Sequence, residues 1–125
     1  MNPGVPSIVT ASRNGGAGSQ KDADASFNDT SSYHSIVAVF DGTNLYQYLD
    51  GVGVSIPTGY ASIGGHSGDP GVGQTPDSDS YGNGSGIWFQ GTIDEMRISN
   101  IPRSADWINA QNLSMSDNFI IYTVE

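Results

Sequence analysis

The chain has 125 residues, with 13 acidic against 4 basic side chains, a net charge of −9, no cysteine and two histidines. That balance argues against nucleic-acid phosphates and anionic membranes as partners and suits cations or neutral sugars. The missing thiols exclude a disulfide framework, and two histidines are too few for a catalytic zinc centre built on imidazoles.

Seventeen glycines and six prolines supply the turns that many short strands need, and the length suffices for one core, so a single domain over 1–125 is expected. In chain order, Ser7 to Ala11 reads as a first strand, Asn14 to Asp24 as a polar loop, and Ala25-Ser26-Phe27 as part of a second strand. His34 to Phe40 is apolar on both parities, the pattern of a central strand covered on both faces. Asp41 to Asn44 then turns the chain. In the next strand Leu45, Gln47 and Leu49 point one way, and Tyr46, Tyr48 and Asp50 the other. The tyrosine pair suits core packing under a loop, or alternatively a sugar-stacking or subunit-contact surface. Further strands are expected at Val52 to Ile56 and Tyr60 to Gly64.

Gly65 to Gly86 has neither a helical nor an alternating period, and an irregular stretch of that length in a compact domain is functional or disordered. It holds His66, Asp77, Asp79, Tyr81 and Asn83. Asp77-Ser78-Asp79-Ser80-Tyr81-Gly82 has the D-x-D-x-x-G start of a calcium loop, where alternating carboxylates converge on a hard cation and glycine permits the bend. Trp88 stands where an EF-hand needs its bidentate Glu, so an EF-hand is excluded. Trp88 beside this acidic loop is instead a candidate platform for a pyranose ring, with a core position as the competing role.

Gly91 to Ile98 reads as another strand. Adjacent strand residues face opposite ways, so Asp94 and Glu95 cannot form one acid/base pair without a bulge, which weakens an enzymatic reading. Glu95 and Arg97 share a face and are expected to pair at the surface. Pro102 and Ser104 start a short helix, with Ser104 as N-cap, Asp106 in the first turn, and Trp107, Ile108 and Gln111 forming its packing face. Asn118 to Thr123 is apolar enough for a closing strand. The residues after Met1 lack the basic start and apolar run of a secretory leader, so none is expected here, and no transmembrane run is expected.

The pieces Tyr33-His34, Val37 to Thr43, Leu45 to Gly51 and Phe89 to Ile98, followed by Arg103 to Ile108, stand in the order and approximate spacing of one motif set. In this the chain resembles the laminin-G-like domains of the concanavalin A-like lectin/glucanase superfamily over roughly residues 24 to 125. The resemblance implies an all-β, antiparallel jelly-roll β-sandwich with one short C-terminal helix, a structural role for His34, and a part for Asp94 in a calcium site or in capping backbone amides. The E-x-D-x-x-E pattern of glucanase relatives is absent, so a non-enzyme is expected.

Taken together, these expectations describe a binding or adhesion module at a bacterial or viral cell surface or outside the cell, taking carbohydrate or glycoprotein. Its expected sugar contacts are Trp88, Tyr81, His66 and Asn83, and its expected calcium ligands are Asp77, Asp79 and Asp94. Relatives carry several strands ahead of the aromatic-His strand, whereas 32 residues precede Tyr33. The alternative expectation is therefore a structural subunit of a filament, surface layer or virus particle, with copies of itself completing the sandwich by strand addition.

Overall fold

The computed structural model describes residues 7–12, 14, 21–65, 72–73 and 89–118. Among them are five strands and a helix: β1 (Ser7–Ser12), β2 (Lys21–Ser26), β3 (Ile36–Phe40), β4 (Asn44–Leu49), β5 (Val52–Pro57) and α1 (Ala105–Met115). The chain divides into two compact units, one of residues 1–65 with 99–125 and one of residues 66–98.

In the first unit β1 and β2 pair antiparallel, and β3, β4 and β5 form a second antiparallel sheet with β4 in the middle. β2 lies across β4 and β5, so the two sheets make two layers. Alternation along β4 assigns its faces. Leu45 and Gln47, 3% and 0% exposed, point to the β1–β2 layer, where Ala23 is buried. Tyr46 and Tyr48 point to the other side. Ser12 closes the end of β1 through a hydrogen bond between its hydroxyl and that of Tyr60.

The all-β antiparallel class and the short helix agree with the expectation, and four details differ. β2 begins at Lys21, inside the expected loop, because its alternating Ala23 and Ala25 give the hairpin a face to bury. β3 is an edge strand among the described residues and β4 is the central one; Ile36 is 53% exposed despite the apolar run. Residues 60–65 make bends where a strand over Tyr60 to Gly64 was expected. Residues 92–98, in the second unit, are irregular where Gly91 to Ile98 was expected as a strand. Glu95 has φ +51°, which breaks an extended run, yet its carboxylate still meets Arg97 at 2.7 Å. The closing strand expected over Asn118 to Thr123 lies outside the described residues beyond Asn118.

The helix starts as expected. Ser104 is its N-cap, and the Ser104 hydroxyl accepts from the Trp107 N–H at 3.2 Å. Ile108, 1% exposed, is the buried anchor, while Trp107 is 43% exposed.

One turn fastens the first unit together. Asp50 and Gly51 both have positive φ, +52° and +80°, and so form the mirror-image turn that joins twisted antiparallel strands with two residues. The Asp50 carboxylate accepts from the Ser35 N–H at 2.9 Å and from His34 Nδ1 at 2.7 Å. Its carbonyl accepts from Asn112 of α1 at 3.0 Å. The other imidazole nitrogen lies 3.4 Å from the Asp29 carboxylate, in the connection between β2 and β3. Phe27 covers the ring edge-on, with centroids 4.9 Å apart. The Asp50 hydrogen bond, and the charges of Asp50 and Asp29, raise the His34 pKa above its ordinary value. The Ser31 hydroxyl and backbone N–H hold Asp29 down to about 2.

Gly51→Ala would force a left-handed conformation on a side chain and set its Cβ 2.9 Å from the Asn109 Oδ1. Gly59 has φ +77° with nothing within 4 Å of such a Cβ, so Gly59→Ala carries the backbone strain alone. Both should lose about 1–2 kcal/mol in urea unfolding, with Gly51→Ala losing more. Equal losses would mean that the helix is not seated on this turn.

A raised histidine pKa stabilises the fold below the unfolded value and loses that effect as pH rises through the folded one. Wild type should therefore exceed His34→Gln in melting temperature by about 2–4 °C at pH 5.5 and by less at pH 8.5. A difference that does not change with pH would contradict the charged clamp.

Candidate functional site

The face of β4 away from the β1–β2 layer builds a groove within the first unit. The construction begins at the β3–β4 turn, where Asp41 must satisfy backbone amides that no strand partner reaches. Its Oδ1 accepts from the N–H groups of Thr43 and Asn44 at 2.8 and 2.7 Å, the side-chain turn typical of aspartate. Its Oδ2 accepts from the Tyr46 hydroxyl at 2.9 Å, and that hydroxyl accepts from the Asn44 amide at 3.3 Å. The Asn44 and Thr43 amides, then Tyr46, lower the Asp41 pKa, and donation to Asp41 raises that of Tyr46. The carboxylate is thus anionic at neutral pH, and the Tyr46 ring is locked by its own hydroxyl.

Tyr48 lies two residues on, on the same face. Its ring is stacked with that of Tyr46, with centroids 6.3 Å apart and planes 17° from parallel. The residue opposite Tyr48 in β5 is Gly53, and a Cβ there would come within 2.5 Å of the Tyr48 ring. Only a glycine leaves room for the tyrosine to lie across the strand.

The segment leading into α1 completes the groove. Pro102, Arg103, Ser104 and Ala105 line it together with Val39, Asp41, Tyr46 and Tyr48, and it encloses about 380 Å³. The Arg103 guanidinium lies over the Trp107 indole, 4.8 Å from the ring centroid. The groove therefore offers the fixed Tyr46 ring, backed by Tyr48 at 8% exposure, together with an anion and a cation. Stacking and hydrogen bonding to a small polar ligand is the chemistry that these groups can supply.

Of the expected site residues, Trp88, Tyr81, His66, Asn83, Asp77 and Asp79 lie outside the described residues. Asp94 is exposed in the irregular part of the second unit. Among the described residues no group of three histidine or acidic side chains is placed to hold a metal ion. The groove joins Tyr46 and Tyr48, singled out in the sequence, to Asp41 and Arg103, which were not. Asp41 carried a signal: an aspartate opening a D-G-x-N turn, with a tyrosine two residues beyond, has its carboxylate directed at that turn. Arg103 carried none, since its role depends on where the helix lands.

No helix among the described residues is long and apolar enough to cross a membrane. No curated protein and no solved structure matches the chain at a significant level. A laminin-G family model, described as concanavalin A-like lectin/glucanases superfamily, matches residues 4–109. The match takes in the β1–β2 hairpin, which the motif resemblance left out, and runs through the groove into α1. With its motifs, its layered antiparallel sheets and this match over most of its length, the chain is a laminin-G-like member of the concanavalin A-like lectin/glucanase superfamily.

Proposed function

We propose that this domain is a non-catalytic binding module that recognises carbohydrate, working outside the cell or at a cell surface. The observation that supports the reading best is the groove with the parallel Tyr46 and Tyr48 rings. The C–H face of a pyranose packs on such rings, and an ordered carboxylate and guanidinium at the same site suit sugar hydroxyls as acceptor and donor. Its volume of about 380 Å³ falls in the range of small-molecule sites. Superfamily membership supports the same class of function.

Calcium enters this proposal from the sequence alone. Asp77 and Asp79 are its proposed ligands, with Asp94 as a third, and Trp88, Tyr81, His66 and Asn83 are proposed as sugar contacts near them. A second reading, a structural subunit whose neighbours add strands, is favoured by the exposure of Ile36, Val52 and Val54 at 53%, 74% and 40% on one face of the β3–β4–β5 sheet.

Tyr46→Ala should weaken binding to the best ligand of a glycan array about tenfold, while Tyr46→Phe, which keeps the ring, should bind nearly as wild type. Equal binding by Tyr46→Ala would remove the groove from the proposal. Asp79→Ala should lower the melting temperature in calcium and not in chelator; a melting temperature indifferent to calcium in the wild type would sink the metal. Light scattering should find a monomer, whereas ordered polymers would favour the structural reading.

A further inference from the structure

The His34 imidazole stands between two carboxylates. Its Nδ1 lies 2.7 Å from Asp50 on the β4–β5 turn, and its Nε2 faces Asp29 at 3.4 Å, within the connection between β2 and β3. Nε2 is buried and makes no hydrogen bond, so bulk water does not come between it and Asp29. Asp29, held down to about 2 by the Ser31 hydroxyl and N–H, stays anionic through the range in which an imidazole titrates.

A neutral imidazole has one donor and one acceptor, whereas an imidazolium has two donors. The shorter contact keeps the proton of the neutral ring on Nδ1, where Asp50 accepts it. The Nε2 lone pair is then aimed at the Asp29 carboxylate, acceptor against acceptor. The cation therefore satisfies both carboxylates and the neutral ring only one. The charges that act on the ring are those of Asp50 and Asp29. From α1 the turn meets Asn109 and Asn112, which carry no charge, and at the end of β2 the ring meets Phe27.

We propose that His34 is a pH-operated latch: its cationic form fastens the exposed arc 28–33 through Asp29, and its neutral form releases that arc while keeping its hold on Asp50. The release is confined to one side. The neutral ring still donates from Nδ1 to Asp50, and the Ser35 N–H and the Asn112 amide still reach that residue, so the turn, α1 and the groove stay in place. What opens is the approach to β3 and the packing of Phe27 on the imidazole. Asp29 is 47% exposed, so its pairing is partly screened, and the latch moves an arc without unfolding the domain. The His34 pKa is raised above its ordinary value, chiefly by the Asp50 hydrogen bond, so the latch is closed in acid and opens as pH rises through that raised value. It acts whatever the groove binds.

The test is nuclear magnetic resonance of the full chain, in which the His34 ring signals give the titration midpoint and backbone relaxation gives order parameters on either side of it. Below the midpoint residues 29–33 should show order parameters near about 0.85, and above it they should fall to about 0.6 or less. The Asn112 side-chain amide, which reports the tie to α1, should keep its protection from solvent exchange throughout. Asp29→Asn should abolish or reverse the response, because an amide can donate to the neutral Nε2. Order parameters that are equal on both sides of the wild-type midpoint would overturn the latch, as would a wild-type pH response in Asp29→Asn. Loss of Asn112 protection together with the arc would contradict the confinement to one side. If Asp29→Asn fails to fold, the wild-type titration decides by itself.

Discussion

The Asp50 carboxylate at the β4–β5 turn is the constraint on which the first unit depends. Its two oxygens serve the amide of Ser35 and the imidazole of His34, just ahead of β3, and its own carbonyl receives Asn112 from α1. One residue therefore ties the start of β3, the turn between β4 and β5, and Asn112 of α1, 62 positions later in the chain. A left-handed pair of residues closes that turn in two steps, and Gly51 at its second position also lets α1 come close. His34 adds the connection from β2 through Asp29, so the route between the two sheets is fastened at the same place.

The groove follows from this arrangement. With the turn closed, the register of β4 is set, and alternation sends Leu45 and Gln47 to one layer and Tyr46 and Tyr48 to the other side. With α1 tied at Asn112, the segment 102–105 that leads into it lies along those tyrosines. The groove's aromatic faces come from strand alternation, its anion from a turn that needs a side-chain acceptor, and its cation from the residue before a helix N-cap. Each is placed first by a local backbone requirement.

What the sequence made legible is what local patterning controls. The β3–β4–β5 meander, both faces of β4 and the Ser104 cap follow from period-two alternation, Asp-Gly turns and capping chemistry. Elements decided by tertiary neighbours were not legible. An apolar run such as Ile36 to Phe40 does not reveal whether a strand covers its far edge, and Lys21-Asp22 reads as loop until its pairing with β1 is known. Arg103 belongs to the same class, because one arginine ahead of a helix says nothing of the groove that it lines. The site expected over His66 to Trp88 lies outside the described residues apart from Val72 and Gly73.

A superfamily that joins lectins and glucanases leaves function to the site rather than the fold. The central claim is that sugar is held on the Tyr46 and Tyr48 face of β4. The most direct measurement is a nuclear magnetic resonance titration of the labelled chain with the best ligand of a glycan array, read residue by residue. The account predicts shifts concentrated at Val39, Asp41, Tyr46, Tyr48 and Ser104. Shifts that avoid these residues and gather between His66 and Trp88 would contradict it.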